Sequence, residues 1–106
     1  MADRLSGMLS LSKKAGALKT GEFSCEKSLK DNRSKLCIIA SDASDNTTKK
    51  FEDLCKRKKV ECRRIDMTKA ELGHLAGQSE RTMASVEDNG FAQSILKLID
   101  GGRIGG

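Results

Sequence analysis

Aromatic residues are scarce in this sequence of 106 residues, which contains three Phe, no Tyr and no Trp. Modules that bind single-stranded nucleic acid usually stack the bases on aromatic side chains, so this scarcity argues against that class of protein. No apolar run approaches the roughly 20 residues that a membrane-spanning helix needs. The N-terminus also lacks the apolar run of a signal peptide. We therefore expect a cytoplasmic protein that does not contact a membrane.

The motifs of common enzyme classes are also missing. The sequence has no Gly-x-Gly-x-x-Gly pattern, no Walker loop and no Gly-x-Ser-x-Gly elbow. The single histidine, His74, is far in sequence from any Cys or Ser motif, and a structural role is favoured over catalysis. We expect a protein that has no catalytic residue and needs no cofactor.

The four cysteines contain no Cys-x-x-Cys pair, although zinc ligands usually come in close pairs. Cys37 lies in an apolar run, and Cys55 follows a leucine at helical spacing. Buried free thiols are the favoured interpretation of Cys25, Cys37, Cys55 and Cys62, and no metal site is predicted. A metal or redox role is the alternative.

The overall charge is basic, with a formal net charge of +5 and a pI of about 9.2. Charged residues make up 33% of the chain and hydrophobic residues 37%, which is enough to build one globular domain. A basic small domain is typical of proteins that bind nucleic acid or another polyanion. Solubility explains a modest excess of this kind equally well.

Hydrophobic periodicity predicts alternating helices and strands, and so an α/β sandwich with helices on both faces of the sheet. The apolar stretch 35–41 does not alternate and is typical of a strand buried on both faces. We predict a single domain over residues 1–100 and a flexible tail over 101–106. Three predicted helices cover 3–15, 22–31 and 46–58. A fourth begins at a Thr68–Glu71 capping box and ends at Gly77, and a fifth is capped by Asp88 or Asn89. The predicted strands are 17–20, 35–41, 60–65 and 82–88.

Two charged stretches allow more than one interpretation. Asp42 and Asp45 follow the central strand, where they either cap the turn and the next helix or hold a metal ion. A pair of acids that holds a metal ion here would resemble a phospho-receiver domain. Such a domain also needs a second acidic pair after its first strand and a lysine after a late strand. These residues are not found, so the cap is favoured. The basic stretch 55–64 is interpreted as a solvated helix end and an edge strand, with a second RNA contact or a partner surface as the alternative.

The start of the second helix is the strongest candidate for a binding site. A helix N-terminus presents free N–H groups and the positive end of the helix dipole. A glycine there lets an anionic backbone come close, because it has no Cβ. The two acids Glu22 and Glu26 would repel phosphate, although a carboxylate can accept hydrogen bonds from base edges. An ordinary turn remains the alternative. The candidate residues are Gly21 and the lysines around it, Lys13, Lys14, Lys19 and Lys27.

Four stretches, in this order and spacing, resemble one known family. They are LSLSKKAGALKTGE, KLCIIASDASDNTTKKFEDLC, ELGHLAG and ASVEDNGFAQSIL. The chain resembles, over about residues 3–100, the kink-turn RNA-binding ribosomal proteins, which include archaeal large-subunit protein seven-Ae and eukaryotic protein thirty-e. Within that family it looks most like the bacterial YlxQ-type branch. The resemblance implies a three-layer α/β/α sandwich with a four-stranded mixed sheet.

The resemblance also implies an RNA site. In the family, the glycine-led start of the second helix enters the widened groove of a sharply bent stem with tandem sheared G·A pairs. Gly21 matches that glycine and Lys27 matches a lysine that contacts RNA. Two further contact segments match Asp42, Ala43 and Ser44, and Gln78, Ser79, Glu80 and Arg81.

The match departs from the archaeal pattern Gly-x-Asn-Glu-x-x-Lys at the two positions that recognise the G·A pairs. Phe23 and Ser24 stand there; Phe23 cannot form the paired hydrogen bonds of an amide, but it could stack on a base. The third segment is polar and charged here, whereas it is apolar in the archaeal proteins. Ser24 and Glu22 would be the remaining polar groups that recognise the bases.

Together these patterns predict a non-catalytic RNA-binding protein that associates with the ribosome and recognises a structured, kink-turn-like RNA. The expected partners are ribosomal RNA and ribosomal proteins. The alternative is a protein-interaction module that kept the fold and lost specific RNA binding.

Overall fold

A computed structural model describes residues 3–101 and shows nine regular elements in the predicted order. The sheet order is β1-β4-β2-β3; β2 and β3 are parallel, whereas β4 is antiparallel to both β1 and β2. The predicted four-stranded mixed sheet is therefore confirmed. The elements are α1 (Arg4–Lys14), β1 (Leu18–Thr20), α2 (Glu22–Lys30), β2 (Leu36–Ile39), α3 (Asp45–Lys58), β3 (Glu61–Arg64), α4 (Lys69–Leu75), β4 (Met83–Val86) and α5 (Asn89–Gly101).

The central strand β2 divides its side chains between two cores, as expected of a strand buried on both faces. Leu36 and Ile38 pack in one core with residues of α1, α4 and α5. Cys37 and Ile39 point to the other face and pack with residues of α2 and α3. This alternation follows from the two-residue period of a strand. The result is the predicted three-layer α/β/α sandwich.

The helix boundaries follow local capping chemistry. The predicted capping box is present, because the Thr68 side chain accepts from the Glu71 N–H and the Glu71 carboxylate accepts from the Thr68 N–H. At α5 the Asp88 carboxylate accepts from the Phe91 N–H at 2.8 Å. The cap of α3 is Ser44, whose hydroxyl accepts from the Thr47 N–H at 3.2 Å, so the expectation that Asp45 supplies this cap is wrong. Asp45 is already the first residue of the helix, whereas Ser44 stands at the N-cap position, from which a side chain can accept from the N–H three residues later.

The end of the described chain falls within α5. The boundary predicted after residue 100 leaves Gly101 in the tail, whereas the structure has Gly101 as the last residue of α5. The rest of the predicted tail, residues 102–106, lies outside the described residues. No helix within residues 3–101 is both long enough and apolar enough to cross a bilayer.

Three of the four cysteines are buried free thiols, as predicted. Cys25, Cys37 and Cys55 pack in the core between the sheet and the α2/α3 layer, and burial raises the pKa of the Cys25 thiol well above its usual value. Cys62 departs from the expectation because it lies on the edge strand β3 and is only half-buried.

The basic stretch 55–64 is a solvated helix end followed by an edge strand, as predicted. Lys56 and Arg57 are exposed in the last turn of α3, where cations suit the helix dipole. Strand β3 has one neighbour, β2, in the described sheet. Arg63 is held by Asp100 at 3.0 Å and by Glu61 at 2.8 Å, and these carboxylates raise its pKa.

Candidate nucleic-acid interface

Helix α2 begins at one end of the sheet, directly after the edge strand β1. The Gly21 N–H donates to the Met83 carbonyl at 3.0 Å, which continues the pairing of β1 with β4 to the first residue of the helix. Gly21 has φ of 96°, a conformation that favours glycine. No side chain of residues 3–101 caps this helix start. The first-turn N–H groups therefore stay available to an anion.

The loop Gln78–Arg81 lies against this helix start. A methyl group at Gly21 would be 3.7 Å from Arg81 Cδ, so the arginine stem lies beside the glycine at ordinary contact distance. The guanidinium donates to the Glu80 carbonyl at 2.9 Å and to Gln78 Oε1 at 3.0 Å. These bonds hold a half-exposed positive charge beside the uncapped first turn.

The second predicted segment, Asp42–Ser44, reaches the same end of the sheet through the peptide groups of Lys69. The Lys69 N–H donates to Asp42 Oδ1 at 2.8 Å, and the Lys69 carbonyl accepts from the Arg81 N–H at 3.1 Å. The Ala40 N–H donates to the Thr82 carbonyl at 2.8 Å. The three segments that sequence comparison predicted to contact RNA are thus neighbours.

Within the second segment the three residues have different surroundings. Asp42 and Ser44 are exposed, whereas the Ala43 side chain is buried and only the backbone of that residue could face a ligand. Asp42 accepts a hydrogen bond from the N–H of Lys69, the first residue of α4. Among residues 3–101, the possible metal ligands that cluster in threes or more are cysteines, and they include neither Asp42 nor Asp45. The structure therefore gives no support to the metal alternative here.

Three of the four α2 side chains expected to contact RNA are exposed to solvent, as is Lys30, which was not predicted. Glu22 and Phe23 are exposed, Phe23 to 82%, and Ser24 is half-buried. Lys27 is also exposed; it lies about 9 Å from Gly21 along the helix axis. It forms an ion pair with Asp31 at 3.2 Å. Cys25 points inward and anchors the helix on the sheet.

Two of the predicted lysines are not near Gly21. Lys13 and Lys14 are exposed in the last turn of α1, and the chain from there enters β1 at Ala17, whose carbonyl accepts from the Glu87 N–H. Ala17 and Gly21 lie at opposite ends of β1, roughly 13 Å apart for four extended residues. Strand β1 therefore separates these two lysines from Gly21, although they are close to it in sequence.

Lys19 lies along the chain between the pair Lys13 and Lys14 and the glycine at the helix start, Gly21. It is exposed in the middle of β1, opposite Ser85 of β4. Its side chain belongs to the edge of the sheet rather than to the helix start. Among residues 3–101, the cation that lies against Gly21 is therefore Arg81. The resemblance placed this residue in the third contact segment.

Sequence reasoning missed two residues that shape the site. Arg64, at the end of β3, donates to the carbonyls of Ser41 at 3.0 Å and Ala43 at 3.2 Å, and so fixes the second segment. Gly73 is buried inside α4, where an added methyl group would overlap the backbone of Ser79. An isolated glycine inside a helical pattern is a detectable signal, because it usually has a packing reason. No comparable signal distinguishes Arg64.

Comparison with known proteins places the chain in a family. Residues 3–96 match the model of the ribosomal protein L7Ae/L30e/S12e/Gadd45 family, so the chain belongs to that family. Within it, the chain is similar to the RNA-binding protein YlxQ of Bacillus subtilis, with 34% identity over 93 residues that cover 88% of this chain and 92% of that protein. It is 33% identical over 94 residues to the RNA-binding protein YlxQ of Enterococcus faecium, which covers 89% of each chain.

Solved structures share the fold. A Bacillus halodurans protein of unknown function superimposes with a TM-score of 0.87 and 30% identity, covering 93% of this chain and 99% of that one. The 15.5 kD RNA-binding protein of Giardia lamblia superimposes with a TM-score of 0.75 over 95% of this chain and 92% of its own. At 20% identity this second likeness shows the fold alone.

Proposed function

We propose that this chain is a non-catalytic RNA-binding protein whose contact surface is the start of α2 together with the two loops beside it. The observation that carries the proposal is the convergence of three separate segments around Gly21. Two relatives named as RNA-binding proteins support it from the side of sequence.

The chemistry of the surface suits a nucleic-acid backbone. Uncapped N–H groups and the positive end of the helix dipole attract phosphate, and Gly21 permits close approach because it has no Cβ. The Arg81 guanidinium, held by its own loop, can bind a phosphate in a bidentate manner. The exposed ring of Phe23 is available to stack on an unpaired base.

The shape of the surface favours a structured RNA. A helix start with two loops in a row beside it fits a groove that a bend has opened, whereas an A-form helix offers a deep, narrow major groove that side chains cannot enter. We therefore propose a kink-turn-like stem in ribosomal RNA as the ligand, with ribosomal proteins as neighbours and the cytoplasm as the location. Phe23 and Ser24 would change which bases are preferred, because they replace the Asn and Glu of the archaeal pattern.

The decisive experiment measures binding of the purified protein to a kink-turn stem at physiological salt with Mg²⁺. The control is the same stem with its tandem G·A pairs replaced by Watson–Crick pairs. We expect the kinked stem to bind at least tenfold more tightly. Equal affinity for both stems, with a steep loss as salt rises, would contradict specific recognition and indicate phosphate attraction alone.

Single substitutions locate the site. Arg81→Ala and Lys27→Ala should each weaken binding to the kinked stem by roughly 1–3 kcal/mol, as loss of a charged hydrogen bond does. Lys35→Ala is the matched control, because it removes the same charge at the exposed start of β2, where the Lys35 N–H pairs with Val86 at the other end of the sheet. An equal loss in all three variants would mean that the surface around Gly21 is not the site.

One observation favours a second candidate function. Phe23 and Leu11 are large apolar side chains that are 82% and 54% exposed, a feature of protein-binding surfaces as well as of RNA-stacking sites. If the chain is a protein-interaction module, Phe23→Ala should leave RNA affinity unchanged. If Phe23 stacks on a base, the same change should weaken RNA binding by about 1–3 kcal/mol.

A further inference from the structure

Three cysteines that are distant in sequence meet in the core beneath α3. Cys37 and Cys62 are register partners on the adjacent parallel strands β2 and β3, and Cys55 reaches them from α3. The three Sγ atoms all lie within 4.8 Å of one another. The pairing of β2 with β3 and the packing of α3 over both strands thus bring the three cysteines together. Their spacing in the sequence does not reveal this group.

The separation of the sulfur atoms suits a metal ion. At a metal–sulfur distance of about 2.3 Å, thiolates around one ion are roughly 3.8 Å apart in a tetrahedral site and about 4 Å apart in a trigonal one. The thiols therefore need to move by no more than about 1 Å to share an ion. A sulfur-only ligand set selects soft ions, above all Cu⁺ and Zn²⁺.

The group is accessible from the surface. Cys62 is half-buried on the edge strand, and a surface cleft is lined by both Cys62 and Cys55, whereas Cys37 lies fully buried behind them. Lys56, Lys59 and Arg63 line the same cleft. Glu52 and Glu61 also line the cleft, and Arg63 is paired with Glu61 and Asp100. The charges of Lys56 and Lys59 would offset part of the net negative charge of an ion bound by three thiolates.

We propose that Cys37, Cys55 and Cys62 bind one thiophilic d¹⁰ cation, Zn²⁺ or Cu⁺. The ion enters through the cleft beside β3, and each thiol that becomes a ligand releases its proton to solvent. Three protein ligands leave a coordination position open to water or another small ligand for Zn²⁺ and complete a trigonal site for Cu⁺. The inference does not depend on RNA binding, because it rests on other residues on the α3-covered face of the sheet.

The test uses the full chain, reduced and free of metal. Zn²⁺ and Cu⁺ are titrated separately under anaerobic conditions against a competing chelator, and Co²⁺ serves as an optical probe through its thiolate charge-transfer band. We expect one ion per chain and a charge-transfer band in the wild-type protein. Whichever of Zn²⁺ and Cu⁺ binds more tightly identifies the cation that the site prefers.

Two variants locate the ion. Cys62→Ser, at the half-buried position, should lower the affinity at least tenfold and remove the cobalt band. Cys25→Ser is the control, since Cys25 is a buried thiol of the same core outside the group of three. Circular dichroism of both variants checks that they fold, and the wild-type band gives an answer that needs no variant.

Three results would overturn the proposal. The first is a reduced wild-type chain that binds neither ion. The second is an equal loss of affinity in folded Cys62→Ser and Cys25→Ser. The third is a wild-type chain whose only reaction with Cu²⁺ or air is a disulfide among the three thiols, with no ion bound after reduction.

Discussion

Replacement of Gly73 by alanine tests how the loop beside the α2 start is held. Gly73 is buried in α4, and a methyl group added there would lie 2.6 Å from the Ser79 carbonyl carbon and 2.9 Å from Glu80 Cα. Both are backbone atoms, which cannot rotate away as the end of a side chain could. Ordinary carbon contacts lie at about 3.5–4.0 Å, so the loop must retreat by roughly 1 Å.

The size of the effect follows from the bonds that this movement strains. The Gln78 N–H donates to the Gly73 carbonyl at 2.8 Å, and the Arg81 N–H donates to the Lys69 carbonyl at 3.1 Å. Overpacking costs about 2 kcal/mol and a lost hydrogen bond about 1, whereas the better helix propensity of alanine returns about 1, which leaves roughly 2 kcal/mol of destabilisation. A domain of this size should then melt roughly 10 °C lower.

Thermal unfolding followed by circular dichroism measures this change, and Gly7→Ala is its matched control. Gly7 lies in α1, where an added methyl group would meet nothing within 4 Å, so alanine there should stabilise the protein by up to about 1 kcal/mol. If RNA binds at Gly21, Gly73→Ala should also weaken RNA binding about tenfold, because Arg81 moves with the loop. Equal melting temperatures for the two variants would refute the packing argument.

Three other substitutions test two buried hydroxyl groups and one helix cap. Thr48→Val should raise the free energy of unfolding by about 1 kcal/mol, because the buried Thr48 hydroxyl has no hydrogen-bond partner within the described chain; a loss of stability in urea titration would contradict this. Ser85→Ala should cost about 1–3 kcal/mol, because Ser28 and Ser34 hydrogen-bond to Ser85 at 2.7 and 2.8 Å in a buried network; a neutral result would show that the network adds nothing. Thr68→Ala should cost about 1 kcal/mol by removing the capping box, and an unchanged midpoint would argue against that cap.

Much of the fold could be predicted from the sequence because its signals are local. The uninterrupted apolar run of β2 and the Thr68 capping box are read from a few neighbouring residues, and both are present. The one cap that was misplaced depends on finer geometry: a hydroxyl at Ser44 reaches the α3 start better than the Asp45 carboxylate one residue later. Such a difference concerns one residue of register, which hydrophobic periodicity does not resolve.

The candidate site was harder to predict because it is assembled from distant parts of the chain. The resemblance supplied the three segments, but it gave no reason for Arg81 to lie against Gly21 or for Lys69 to join Asp42 to the loop. The cysteine group shows the same limit more clearly. Spacing argued against a metal site, whereas the parallel register of Cys37 and Cys62 brings them together. Long-range pairing carries information that spacing alone lacks.

The way the site is held also explains how its specificity could change without loss of the fold. The bonds that fix the three segments come from backbone groups, from the Asp42 carboxylate and from Arg64 and Arg81. Phe23, by contrast, is 82% exposed at the first turn of α2 and contributes little to packing. A substitution at such a position costs almost nothing in stability, and if the surface binds RNA it would alter which RNA is preferred. If Phe23 contacts RNA, this part of recognition is carried by a residue that folding does not need, so the preferred RNA could change while the scaffold stays the same.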